Sequence, residues 1–177
     1  MMGKRTVLGL SLALLMSAGS VIAAPNGPYA GIGGGSSSMD SASTDETFKD
    51  TSLKVFLGYQ LSDKLAAEIA YSSYGELIDV PGTTSTIEVS GLEASVLGKL
   101  PVNSKFSLFG RVGFWAWDAS IPFYGSYLEL EDGVDPFFGA GLEYNPTDKL
   151  QLRFEVNQHE IADTDGTTVN GTVAMRF

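Results

Sequence analysis

Cysteine is absent from this sequence, which removes a disulfide framework and a thiolate metal site from consideration. Basic residues are scarce: 11 Lys and Arg stand against 21 Asp and Glu, and there is a single histidine. Two of the bases, Lys4 and Arg5, open the segment expected to be removed on export, leaving nine bases against 21 acids and a net charge of −12. That balance excludes nucleic acid as a partner. Long apolar runs are missing too. The one candidate, Val7 to Met16, is interrupted by Gly9 and Ser11 and followed by Ser17, Gly19 and Ser20, so it falls short of the roughly 20 residues a membrane-spanning helix requires. Between a charged start and the small residues Val21-Ile22-Ala23, it has the form of an export signal. Residues 1–23 are accordingly expected to be a signal peptide, and residues 24–177 one domain beginning at Ala24.

Glycine and aromatics are plentiful, with 21 Gly, 10 Phe, 7 Tyr and 2 Trp, and they sit in alternating rather than helical patterns. The clearest is the last nine residues, where Val169, Gly171, Val173, Met175 and Phe177 alternate with Asn170, Thr172, Ala174 and Arg176. Strict period two with an aromatic end describes a strand with one greasy and one polar face. An outward terminal Phe is best explained by lipid. Short polar breaks at Ser62-Asp63-Lys64, Val102-Asn103-Ser104-Lys105 and Asn145-Pro146-Thr147-Asp148-Lys149 carry turn chemistry. Longer acidic or Gly/Ser-rich stretches, Ser38 to Asp50, Gly75 to Ser85, Asp118 to Asp135 and His159 to Thr168, separate the alternating runs in turn with these breaks. Short turns alternating with long loops are the connectivity of an all-β, eight-stranded antiparallel up-and-down transmembrane β-barrel. The strands are predicted at Pro28 to Ser37, Thr51 to Leu61, Leu65 to Tyr74, Thr86 to Leu100, Phe106 to Trp117, Pro136 to Tyr144, Leu150 to Gln158 and Val169 to Phe177.

Alternation assigns faces. Leu53, Val55, Leu57, Tyr59, Ile69, Tyr71, Leu92, Val96, Phe114, Phe138, Leu152 and Phe154 are expected to face out, while the Gly-rich first strand gives no assignment. Ile87 and Val89 fall out of phase with Leu92, which predicts a bulge near Ser90-Gly91 or a stretch already clear of the membrane. Tyr59, Phe106, Tyr144 and Phe177 would form one aromatic ring near the short turns, and Tyr71, Phe114 and Phe138 the opposite one. The inward positions carry Lys54, Lys99, Arg111, Arg153 and Arg176 against Glu68, Glu93, Glu143 and Glu155. A barrel of eight strands is just wide enough for its own side chains, so these charges must pair to be tolerated. They form either a salt-bridged plug or a gate.

Fourteen acids lie in the long loops, from Asp40, Asp45, Glu46 and Asp50 through Glu76, Asp79, Asp118, Glu129, Glu131, Asp132 and Asp135 to Glu160, Asp163 and Asp165, with Lys49 the only base among them. Asp163-Thr164-Asp165-Gly166 supplies two ligand positions of a calcium loop and none of the rest. No metal and no cofactor are expected, and the acids read as a mutually repelling, solvated surface. In the third loop Ile121, Phe123, Tyr124, Tyr127, Leu128 and Leu130 are too apolar for such a surface. They either extend a hairpin above the membrane or contact a partner, which makes Phe123, Tyr124 and Tyr127 the loop-contact candidates. His159, flanked by Asn157, Gln158 and Glu160 at the strand rim, is where a barrel hydrolase would place its base. No serine adjoins it and a His-x-Ser-Asn pattern is missing, so it reads as polar surface and no enzyme is expected.

From about Leu65 to Phe177 the sequence resembles the transmembrane domain of the OmpA-type outer-membrane proteins. The resemblance rests on Gly110-Arg111-Val112-Gly113 with Trp117-Asp118-Ala119, on Asp132-Gly133-Val134-Asp135-Pro136-Phe137-Phe138-Gly139-Ala140-Gly141-Leu142-Glu143-Tyr144, on Leu152-Arg153-Phe154-Glu155 and on Arg176-Phe177. It implies a monomeric barrel with both mature termini in the periplasm and, after its best-known member, a lumenal gate of two acids and two bases. Glu68, Glu143 and Arg153 fall on three of those positions; Leu97 falls on the fourth, a lysine in the family, and Lys99 lies two residues nearer the periplasm. The closing Phe177 looks like a signal for the barrel assembly machinery. The peptidoglycan-binding domain of that family has no counterpart up to Phe177, so no tethering role is expected. The expected partners are that machinery, outer-membrane lipids and lipopolysaccharide. The expected role is structural or that of a low-conductance, porin-like barrel; the alternative is a surface adhesin or ligand-binding barrel acting through its acidic loops.

Overall fold

Each alternating run offers one apolar and one polar face, and closing the sheet on itself leaves no unpaired edge to face hydrocarbon. A computed structural model describes residues 26–40, 47–79, 86–123, 126–161 and 164–177. The strands are β1 (Pro28–Asp40), β2 (Thr47–Ser62), β3 (Leu65–Asp79), β4 (Thr86–Pro101), β5 (Phe106–Phe123), β6 (Ser126–Tyr144), β7 (Leu150–Ile161) and β8 (Thr164–Arg176). Every strand pairs antiparallel with the next, and β8 returns to β1 from Tyr29↔Arg176 to Met39↔Gly166, giving a closed eight-stranded up-and-down barrel. The signal segment, Asp45, Glu46, Tyr124 and Asp163 lie outside the described residues.

The three short turns gather at one end. Asn103 Oδ1 accepts from the backbone N–H groups of Lys105 and Phe106 at 2.8 and 2.9 Å, and Thr147 Oγ1 accepts from that of Leu150 at 3.1 Å. Short polar side chains thus fold the turns back on themselves. The Phe177 N–H donates to the Pro28 carbonyl at 3.0 Å, which brings the end of the chain to this turn end as well. Phe106 stacks on Tyr144, its cross-strand neighbour, at 4.5 Å between ring centroids. Toward the opposite, loop end, Tyr71, Phe114 and Phe138 are exposed.

The outward set is apolar as alternation predicted: Leu53, Leu57, Ile69, Leu92, Val112, Phe138 and Phe154 all stand on the exterior. On β1, where glycines hid the phase, Tyr29 and Ser37 are buried and Ile32 is exposed, so odd positions point inward. The bulge is not on β4 at Ser90-Gly91. The β4–β5 register is unbroken from Glu88↔Ser120 to Pro101↔Ser107, and Val89 is buried in phase with the inward odd positions. In the β3–β4 ladder the shifts lie on β3, between Ser73 and Glu76 and between Glu76 and Ile78, around Gly75 at a φ of 72°, which glycine reaches without a Cβ penalty. The strands also run further than apolar alternation signals. Residues 118–123 and 126–135, read from sequence as loop, pair up to Phe123↔Ser126. Beyond lipid no face must be apolar, so the ladder continues where the alternation has stopped.

Candidate functional site: the lumen

Lys54, Glu68, Glu93, Lys99, Arg111, Glu143, Arg153 and Glu155 all point into the barrel and are buried, while Arg176 is half-buried at the turn-end rim. Their pairs come from strands far apart in sequence. Arg111, fully buried at the centre, is paired with Glu68 through Nη2, while Nη1 lies 3.4 Å from Glu155 Oε1 and 3.8 Å from Glu93 Oε2. Lys54 Nζ lies 2.7 Å from Glu93 and 3.3 Å from Glu155. Arg153 Nη1 is 2.6 Å from Glu68, which also accepts from the Tyr29 hydroxyl at 2.7 Å. Nearer the turns, Glu143 holds Lys99 at 2.7 Å and Arg176 at 3.1 Å, and Lys99 Nζ donates to Gln60 Oε1 at 2.7 Å. Every carboxylate has more than one base within reach. Such sharing offsets the desolvation that would otherwise expel charge from the interior, and it gives Lys54 and Arg111 alternative carboxylate partners.

Sequence reasoning filled the lumen with charge alone; the structure adds an apolar cluster of Tyr29, Phe56, Ala66, Ala70, Leu97, Phe109 and Ala174. The Arg153 guanidinium sits over the Phe56 ring at 4.5 Å from its centroid, a cation–π contact that holds the arginine while it pairs with Glu68. Inward aromatics lie over inward glycines of the neighbouring strand. Tyr29 faces Gly58, Phe56 faces Gly31, Phe109 faces Gly141 and Phe137 faces Gly113. A Cβ on Gly141 would come within 2.7 Å of the Phe109 ring, and one on Gly113 within 2.8 Å of Phe137. Those glycines make room for the rings, which could be read from the sequence only once the register was known.

His159 corrects the sequence reading most. It is 1% exposed, not polar surface. Because the β7 ladder continues to Ile161, His159 keeps the inward phase of Arg153, Glu155 and Asn157. Its ring stacks on Phe137 at 4.8 Å and 10°, and meets Trp115 at 5.0 Å and Tyr74 at 5.1 Å edge-on. The Tyr74 hydroxyl is 2.7 Å from His159 Nε2. Trp117 adds a ring 6.4 Å from Trp115 and donates through Nε1 to Asp135 at 2.6 Å. These rings form a cap across the loop end of the lumen. The turn end has instead a cavity of about 440 Å³ with Gln60, Lys99, Glu143, Asn145 and Arg176 in its wall. Among the described residues no group of three or more His, Cys, Asp or Glu could hold a metal ion. The side chains of Phe123 and Tyr127, like Tyr124 as a whole, are outside the described set, although the backbones of Phe123 and Tyr127 lie on β5 and β6.

The family model for the outer membrane protein beta-barrel domain matches residues 8–177. Outer membrane protein A of Shigella flexneri is 25% identical over an alignment of 129 residues that covers 68% of this chain and 37% of that protein. The chain therefore spans little more than a third of that relative's length. Among solved structures, Neisserial surface protein A superposes with a TM-score of 0.75 at 15% identity, covering 85% of this chain and 97% of that one. Ail, the attachment invasion locus protein of Yersinia pestis, gives 0.60 at 16% identity, covering 85% and 99%. At such identities these likenesses bear on the fold alone. With a family match over nearly the whole sequence and a closed barrel that is apolar outside and ion-paired inside, the chain belongs to the β-barrel family of Gram-negative outer-membrane proteins.

Proposed function

We propose that this is an integral outer-membrane barrel with its turn end in the periplasm, acting as a structural barrel or as a pore of low conductance that opens only when lumenal ion pairs exchange partners. The observation that carries this reading is the position of Arg153. Its guanidinium is 2.6 Å from Glu68, while its cross-strand neighbour on β6 is Glu143, which holds Lys99 at 2.7 Å. Passing Arg153 from Glu68 to Glu143 requires side-chain rotation and leaves the β-ladder intact. The family's gate of two acids and two bases is thus represented by two pairs. Lys99 reaches Glu143 from a position two residues nearer the turns than the family's lysine, and Leu97 at that lysine's position is buried in the apolar cluster. Around this core the apolar exterior meets lipid, and Phe177, exposed at the turn end, supports a recognition signal for the assembly machinery.

Single-channel recording of refolded protein in a planar bilayer tests this. Rare, small steps are expected, altered in size or frequency by Arg153→Ala. Silent bilayers for both proteins, each shown to be folded, would leave the lumen a structural plug.

A second reading draws support from β5 and β6. From Phe114 to Phe123 the paired strand extends nine residues beyond the loop-end aromatic ring, about 30 Å along its axis at ~3.3 Å per residue. That hairpin bears the apolar residues Ile121, Phe123, Tyr127, Leu128 and Leu130, and the similar barrel Ail is the attachment invasion locus protein of Yersinia pestis. Under this reading, deleting residues 121–130 abolishes adherence to host cells or matrix while the barrel still folds; unchanged adherence would count against it.

A further inference from the structure

Of the nine bases downstream of the export signal, five are lumenal, Lys49 lies on the loop-end part of β2, and Lys64, Lys105 and Lys149 each close a short turn. These three are exposed at the turn end. Among the described residues, the ion pairs involve lumenal bases and His159, and none uses the three turn lysines. One of the three differs from the others. Lys64 borders a recess of about 360 Å³ in the exterior wall, with Gly98 on its floor beside Gly110 and with Leu100 and Leu108 flanking them.

The recess comes from two side chains missing side by side. Gly98 and Gly110 are direct cross-strand partners on β4 and β5, both outward and exposed. A Cβ built on Gly98 would meet nothing within 4 Å, and one on Gly110 only a backbone oxygen at 3.9 Å. These glycines therefore relieve no crowding, unlike the inward ones beneath the aromatic rings. The Lys99 N–H donates to the Lys64 carbonyl at 2.8 Å, and Leu65 is the β3 partner of Gly98, so Lys64 stands at the turn-side mouth of the notch. Gly98 lies three residues inside the end of β4, about 10 Å along the strand and ~7 Å deep at a tilt near 45°. That is where the upper part of an acyl chain lies when its headgroup is level with the turn.

We propose that this notch is a lipid site: it seats one acyl chain of an anionic glycerophospholipid whose phosphate pairs with Lys64. The chain gains dispersion contacts with walls that a smooth exterior would not offer, and the ammonium selects the headgroup charge. The exterior contains an internal control. Gly171 on β8 is likewise outward, with nothing within 4 Å of a built Cβ, and its β1 partner is Gly34, but the lysine paired beside them, Lys54 opposite Gly33, is buried in the lumen.

The test is native mass spectrometry of the refolded barrel released from nanodiscs holding equal amounts of phosphatidylglycerol and phosphatidylcholine. Wild type should retain one phosphatidylglycerol. Gly110→Leu should lose it, Lys64→Gln should lower the preference over phosphatidylcholine about fivefold, and Gly171→Leu and Lys149→Gln should behave as wild type. A heat-modifiable gel shift identifies folded variants. Were Gly110→Leu to misfold, the headgroup preference of Lys64→Gln would still decide. Adducts in proportion to the lipid mixture, or equal retention by all variants, would overturn the site. Because both nanodisc leaflets have the same composition, the result is independent of which way the barrel faces in the cell and of whether its lumen conducts.

Discussion

Replacing Arg111 with Met would leave the lumen with four bases and four acids, a formally balanced set, and yet it should destabilise the barrel by about 3 to 5 kcal/mol. Arg111 pairs with Glu68 and lies 3.4 Å from Glu155 and 3.8 Å from Glu93. At an effective dielectric of about 20, opposite charges ~4 Å apart attract by about 4 kcal/mol. Losing these attractions exceeds the several kcal/mol recovered by no longer burying the guanidinium. Lys54, at 2.7 and 3.3 Å from Glu93 and Glu155, would be left to neutralise both. Urea unfolding of the vesicle-refolded protein, followed by the fluorescence of Trp115 and Trp117, should show a midpoint lowered by at least about 1 M. Arg176→Met supplies the contrast. That residue is at the rim, and its partner Glu143 keeps Lys99 at 2.7 Å, so the cost should be about 1 kcal/mol or less. If Arg111→Met costs no more than Arg176→Met, the claim that geometry rather than charge count decides lumen stability is refuted.

Gly58→Val should cost about 2 to 4 kcal/mol, because its Cβ would enter the Tyr29 ring and pull the tyrosine hydroxyl from Glu68; Gly98→Val, with open space around it, should fall within about 0.5 kcal/mol of wild type. Equal urea midpoints for the two would contradict the nesting of rings over glycines. Leu152→Arg, on the exterior of β7, should cost about 2 to 4 kcal/mol in vesicles if it sits near mid-membrane, and no loss there would mean the faces are inverted.

The exterior was legible in the sequence almost residue by residue. From Leu53 to Leu61 on β2 and from Leu150 to Val156 on β7, alternate apolar positions stand outward as period two requires, since lipid imposes the same demand at every such position. The nine lumenal charges were also assignable to the inward face from phase alone. Glycine defeated this on β1, where no Cβ marks a face. Alternation also ended too early on β5 and β6, whose pairing persists beyond the apolar positions to Phe123↔Ser126.

Alternation is a local property, because each strand meets the membrane on its own. Partnership inside the barrel is not local. The sequence specified which residues turn inward and that they carry nearly balanced charge, but Glu68 and Arg153 stand 85 positions apart and Lys54 and Glu155 101 apart. Only the stagger of strands on closure decides that Arg111 takes three carboxylates, that Phe56 lies under Arg153, and that His159 is enclosed by Tyr74, Trp115 and Phe137. Closing a sheet into a barrel links tilt, register and interior width at once, so the lumen acquires its contacts as a whole while the lipid face is written one strand at a time.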